Sequence, residues 1–183
     1  LEEKKSVVTD LKVSFSTGDK FTGALTLQDL NLFHIAKRAN MKLTLGQKIG
    51  RGEVSLADPH FFGSRWETIL SVFYEQLNRP GFDTKEVGGS VSLLHDFTSH
   101  LRLLNKYQVD KTTFSNVTDP AEGAEHDNTT SRLSTSVSYD WRDSFSDPRD
   151  GYLLAGGLDI GNKITSSGKN FIQPKLQFVH YTS

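Results

Sequence analysis

Four aspartates and two arginines crowd one short stretch: Asp140, Arg142, Asp143, Asp147, Arg149 and Asp150. Two carboxylates at a fixed separation are the working parts of a glycoside hydrolase. Aspartates alternating with arginines around a turn more often make local ion pairs and backbone caps, so no catalytic residue is assigned. His95 and His100 bracket the turn Asp96-Phe97-Thr98-Ser99. A metal needs three or four converging ligands, and His34, His60, His126 and His180 show no mutual spacing that would supply them. Asp119, Glu122, Glu125 and Asp127 share one polar stretch but lack the Asp-x-Asp-x-Asp-Gly pattern of a calcium loop, and they read as a solvated outer loop. Gly156-Gly157 has no helix behind it and is no phosphate loop. The chain is thus expected to be no enzyme and to carry no cofactor or metal.

The bulk properties point the same way. The chain has 183 residues, a formal net charge of -1 and no cysteine. That length suits one domain. The charge gives no general attraction for nucleic acid or anionic lipid, and a disulfide scaffold is excluded. The hydrophobic fraction is 36% and the mean hydropathy -0.43. No run approaches the ~20 apolar residues of a spanning helix. A membrane β-barrel escapes that requirement, because only alternate residues face lipid.

Alternation is what the sequence shows. In 132–141, Leu133, Thr135, Val137, Tyr139 and Trp141 fall on one face, and Arg132, Ser134, Ser136, Ser138 and Asp140 on the other. Strict period two over that length means a strand with one apolar and one wet face. The pattern recurs at Leu101, Leu103, Tyr107 and Val109, at Met41, Leu43 and Leu45, and at Leu11, Val13 and Phe15. Turn residues separate the runs: Thr17-Gly18-Asp19-Lys20, Asn78-Arg79-Pro80-Gly81, Asp147-Pro148-Arg149-Asp150-Gly151 and Ser166-Ser167-Gly168. Roughly ten strands result, near the length of tilted membrane strands. They are placed at 8–17, 20–30, 39–49, 51–58, 64–77, 84–95, 100–113, 131–143, 151–162 and 170–182. The fold class expected is all-β, an antiparallel transmembrane β-barrel that this chain leaves incomplete, with residues 1–7 as the end of a linker and 8–183 as barrel strands.

Aromatic residues flank alternate turns on the side holding the N-terminus: Phe33, Phe61, Phe62, Trp66, Phe97, Trp141, Phe145 and Tyr152. Tyr74, Phe82, Tyr107 and Phe114 lie near the other strand ends. Two such groups are expected to form the girdles of a membrane barrel, with Trp66, Phe97, Trp141 and Tyr152 in the first.

Three segments, in order and spacing, resemble the first strands of the BamA/TamA superfamily of outer-membrane assembly barrels: FTGALTLQDLNLF at 21–33, SLADPHFFGSRW at 55–66 and SVSYDWRDSFSDPRDGYLL at 136–154. The matching turns are Asn31-Leu32-Phe33, Asp58-Pro59 with Phe61 and Gly63, and Asp140, Arg142 and Asp143 followed by Pro148 and Gly151. Each has a physical sense of its own. Proline ends hydrogen bonding at a strand edge, glycine permits positive φ where the chain reverses, and Asn31 can cap its turn.

The resemblance implies an outer-membrane location, in a bacterium or an organelle, and insertion or translocation of other outer-membrane proteins. It implies as partners unfolded outer-membrane proteins, accessory lipoproteins of an assembly complex and membrane lipid. In the family the first and last strands pair weakly and that seam can open; here the seam strand is Leu11, Val13, Phe15 and their neighbours. The family's barrels have roughly sixteen strands, so about six would be missing here. Its periplasmic POTRA repeats and its Val-Arg-Gly-Phe loop motif are not found in this sequence. No leader segment is visible at Leu1, so a mature chain or a fragment is expected. Without the turn motifs, the alternation alone would fit a passive channel or a small ligand-binding barrel. A soluble β-sandwich binding module is a third possibility, disfavoured by strands longer than the ~5–6 residues usual in soluble sheets.

Overall fold

The computed structural model describes residues 7–16, 20–32, 35–116, 128–144, 146–163 and 170–182, and for Ser16, Lys20, Phe62 and Lys163 the backbone alone. The strands are β1 (Val7–Ser16), β2 (Lys20–Leu32), β3 (Lys37–Gly46), β4 (Ile49–Asp58), β5 (Trp66–Arg79), β6 (Phe82–Asp96), β7 (Leu101–Ser115), β8 (Asn128–Arg142), β9 (Gly151–Lys163) and β10 (Phe171–Tyr181). Among the described residues a single 3₁₀ turn, Phe61–Gly63, interrupts the series. The ten strands form one antiparallel sheet in sequence order, with β1 and β10 at its edges. A sandwich would need a second sheet over the apolar face, and all ten described strands belong to this one, so the disfavoured sandwich alternative does not hold. No described helix is long and apolar enough to cross a membrane, which says nothing of spanning strands.

Register assigns every side chain to a face. One row runs Thr9, Leu27, Met41, Val54, Val72, Gly89, Val109 across β1 to β7. On that face stand most of the exposed large apolar side chains, from Leu11 and Val13 on β1 to Leu176 and Phe178 on β10. The alternate residues make a polar face. Of the four buried side chains among the described residues, Phe73, Asp110 and Asp159 lie on this polar side and Thr68 on the apolar one; the polar side is the more enclosed, concave one. An apolar convex face and a polar concave face are the cross-section of a membrane barrel. The apolar belt runs from Trp66 to Tyr74 on β5, Leu133 to Trp141 on β8 and Tyr152 to Ile160 on β9, each about nine residues, as a tilted strand needs to cross hydrocarbon.

Three details depart from the sequence reading. Gln47-Lys48 forms the β3–β4 turn, so β3 ends at Gly46 and β4 begins at Ile49; the alternation of Leu43 and Leu45 ran on past the true reversal. β8 begins at Asn128 rather than 131 because Thr130 pairs with Asp110 and Thr129 with Lys111, a polar ladder extension that hydropathy does not signal. β1 opens at Val7, one residue inside the stretch assigned to a linker.

Candidate functional site

β1 is an edge strand. Among the described residues its partner is β2, through a ladder from Val7↔Asp29 to Ser16↔Lys20. Leu11, Val13 and Phe15 project from its apolar face at 70%, 71% and 64% exposure, and Phe15 meets Phe21 of β2 with ring centroids 4.9 Å apart. A strand with one unpaired side offers backbone N–H and C=O groups to any chain that can lie beside it. In hydrocarbon an unpaired backbone group is costly, so such an edge strongly favours an added strand.

The turn residues are held by short-range bonds at the end of the sheet where β1 begins, called here the near end. The Asn31 side-chain oxygen accepts from the backbone N–H of Ala36 at 2.8 Å, while Asp29 Oδ1 accepts from the N–H of Asn31 at 3.0 Å. Together they bridge a turn in which Ala36 takes φ 57° and whose approach carries a register shift between Asp29 and Leu32. Leu32 closes β2 opposite Lys37; Phe33 lies outside the described residues, as do Phe145 and the acidic loop 117–127. Asp58 Oδ1 accepts from the N–H of His60 at 3.1 Å and Oδ2 pairs with Lys37 Nζ at 3.2 Å. Pro59 follows as β4 ends; Phe61 and Gly63 then form the 3₁₀ turn, Gly63 at φ 72°.

The third turn is the most constrained. Arg142 donates to Asp140 in bidentate fashion, Nε to Oδ1 at 2.8 Å and Nη2 to Oδ2 at 2.6 Å, and its guanidinium lies over the Tyr181 ring at 5.9 Å. Asp143 Oδ1 accepts the backbone N–H groups of Arg149 at 3.0 Å and Asp150 at 3.2 Å. The turn carries Pro148 and returns to β9 at Gly151, with φ 107°. The N–H groups of Arg149 and Asp150 hold the Asp143 carboxyl below the usual carboxylate range. A carboxyl with a lowered folded pKa contributes stability above its unfolded pKa and loses it as pH falls through the folded value. The urea midpoint of the wild type minus that of Asp143→Asn is therefore expected to be constant at neutral pH and to shrink only at acidic pH, below the ordinary carboxylate range. An equal difference at all pH values would remove this role from Asp143.

Aromatic and histidine rings collect at the near end of the apolar face. Trp66 stacks on His95 with centroids 4.5 Å apart, and His95 meets the edge of Phe97 at 4.6 Å. Trp141 lies 4.4 Å from His100 and 6.2 Å from Tyr139, and Tyr139 lies 6.0 Å from Tyr152. Nδ1 of His100 is 2.8 Å from the carbonyl oxygen of Asp140, and Nδ1 of His95 is 3.2 Å from that of Arg65. The ring nitrogens thus anchor to the turns while the ring faces pack with the aromatics. At the far end Tyr74 and Tyr107 stand on the apolar face, but Phe82 and Phe114 do not. Phe82 pairs with Arg79 and packs on Phe114 at 6.1 Å on the polar face, so the far girdle is corrected by losing these two. A one-residue difference in parity moves a side chain to the other side of the sheet.

The polar face holds a charge network that spacing alone left unassigned. Arg51 bridges Glu53 at 2.9 Å and Glu75 at 2.7 Å and lies over the Phe73 ring at 4.9 Å. Gln108 donates to Asp110 at 3.1 Å, Lys175 pairs with Asp159 at 2.7 Å, and Arg38 pairs with Glu67. A usable signal was present: Arg51 and Glu53 lie two apart in a strand and so share a face. Glu75 required the β4–β5 register. Among the described residues no group of three or more His, Asp or Glu side chains could hold a metal ion.

Comparison with known proteins places this architecture. No curated protein matches the sequence. The crystal structure of BamA from Haemophilus ducreyi lacking POTRA domains 1–3 superposes with a TM-score of 0.72 at 13% identity, over 86% of this chain and 34% of that one. At that identity the likeness is one of fold, and this chain spans about a third of the length of that structure. The ten strands thus correspond in fold to part of that barrel. Residues 31–183 match the Omp85 superfamily domain, and the chain belongs to that superfamily of outer-membrane barrels.

Proposed function

We propose that the protein is a non-enzymatic insertion or translocation factor for other outer-membrane proteins, and that β1 is one lip of its lateral seam. The observation that carries this reading is the match of residues 31–183 to the Omp85 superfamily domain, with β1 as the first strand of the sheet and Leu11, Val13 and Phe15 exposed on its apolar face. An unfolded barrel strand arriving there would add to the sheet by β-augmentation, main-chain bonds giving affinity and alternate apolar residues giving register. Membership of the superfamily and the outer-membrane fold support it. Its partners would then be unfolded outer-membrane proteins, accessory lipoproteins of an assembly complex and the surrounding lipid. Depletion of the full-length protein is expected to lower the folded levels of other outer-membrane barrels, read as heat-shifted bands on gels. Unchanged levels after depletion would sink the proposal.

A further inference from the structure

On the apolar face the belt has a polar upper boundary at the far end, formed by Gln76, Lys85, Lys111, Ser131 and Asn162 on β5 to β9. It steps along the strands as their tilt requires. The boundary carries two like charges close together. Lys111 is opposite Val87 in the β6–β7 ladder, and Lys85 is two residues from Val87 on the same face, so the two lysines are diagonal neighbours, about 7–8 Å apart by sheet geometry. Both are exposed. Asp83 also lies on this face, a further two residues from the belt, and its Oδ2 accepts from Asn116 Nδ2 at 2.6 Å.

Below the lysines the same strands form an apolar groove of about 560 Å³. Gly89 is its floor, Leu70 and Val72 of β5 one wall, Tyr107 and Val109 of β7 the other, and Val54 its outer margin. Gly89 creates the groove because every neighbour in its register row that lines it, Val54, Val72 and Val109, carries a side chain. From Gly89, Val87 and then Lys85 continue along the strand, so groove and cations are coaxial. Four residues of strand separate the Gly89 floor from Lys85, about 13 Å, a span that matches the upper part of an acyl chain.

We propose that this is a binding site for one anionic lipid of the surrounding bilayer, with its phosphate between Lys85 and Lys111 and an acyl chain along the Gly89 groove. Charge complementarity selects the head and the groove selects the tail. A lysine near a membrane surface contributes attraction for acidic lipid, and here the pair lies where snorkelling places ammonium groups at headgroup level. The site lies far from the β1 edge and does not depend on how that edge is used.

The test uses the full-length protein in nanodiscs of phosphatidylcholine with a minor fraction of phosphatidylglycerol, followed by detergent exchange and lipid counting by native mass spectrometry. Wild type is expected to retain phosphatidylglycerol over phosphatidylcholine. The Lys85→Gln/Lys111→Gln variant is expected to lose that preference by roughly 10-fold or more, and Lys85→Arg/Lys111→Arg to keep it. Gly89→Leu fills the floor; a Cβ there meets Ser71 O at 3.4 Å and Val72 Cγ1 at 3.8 Å, ordinary contacts for the first carbon of the side chain. This variant is expected to lose retention several-fold while the lysines remain. Heat-shifted gel mobility identifies folded variants. Undiminished retention in the folded glutamine variant or in folded Gly89→Leu would overturn the proposal. Displacement of the lipid by inorganic phosphate would also overturn it, because the site would then read a free anion.

Discussion

Gly151→Ala is expected to lower the unfolding free energy of the folded protein in lipid by roughly 3 kcal/mol or more. Two costs coincide at this residue. The backbone takes φ 107°, a region that side chains rarely occupy, and a Cβ there would lie 2.0 Å from the carbonyl oxygen of Trp141. The obstacle is backbone, so it cannot rotate away. The ladder itself would have to part where Gly151 pairs with both Arg142 and Tyr181. That pairing also explains why no side chain is wanted there. Arg142 reaches across from β8 to the Tyr181 ring of β10, and the strand between presents glycine. The urea midpoint of the full-length protein in vesicles reads the loss. Gly63→Ala is the comparison: φ is 72° but nothing lies within 4 Å of the added Cβ, so only the conformational cost of about 1–2 kcal/mol applies. Equal midpoints for the two variants would show that the Trp141 carbonyl does not confine Gly151.

Val137→Arg and Ser136→Arg are expected to separate by about 2–4 kcal/mol, although the residues adjoin. Val137 stands on the apolar face between Leu133 and Trp141, near the middle of the belt. An arginine there must leave its guanidinium in hydrocarbon or bend the chain toward a headgroup. Ser136 points to the polar face, opposite Leu104 and Gly157, where a charge meets water and the neighbouring polar side chains. Refolding yield and urea midpoint in vesicles measure both. If the Ser136 variant were the weaker of the two, the assignment of faces would be reversed.

Ten runs of alternating residues were legible before any coordinate, because the strand period is two and one face of each strand had to be apolar. In 132–141 that period alone assigned all ten residues to faces, and the β7–β8 register, with β8–β9 for Asp140 and Trp141, pairs them accordingly. Strand ends were less legible where polarity and the ladder part company. Asn128, Thr129 and Thr130 have the composition of a loop but hydrogen-bond as a strand, since a barrel strand continues past the hydrocarbon into water. Ile49 has the composition of a continuing strand but follows a reversal at Gln47-Lys48 that contains neither glycine nor proline.

The sequence by itself determined the architecture: an antiparallel, one-sided sheet of membrane-strand length, edged by turns whose Asp-Pro and Gly positions have direct backbone reasons. Its aromatic types set which strand ends were candidates for an interface, but parity within the strand decided the matter, as Phe82 and Phe114 show by facing the polar side. Only the tertiary structure decided which residues meet. Arg51 with Glu75, Arg142 with Tyr181, and Lys85 beside Lys111 over the Gly89 groove each join residues on different strands. The physical reason is register. Sequence periodicity tells each strand which side is out, but it does not tell one strand how far to slide along the next.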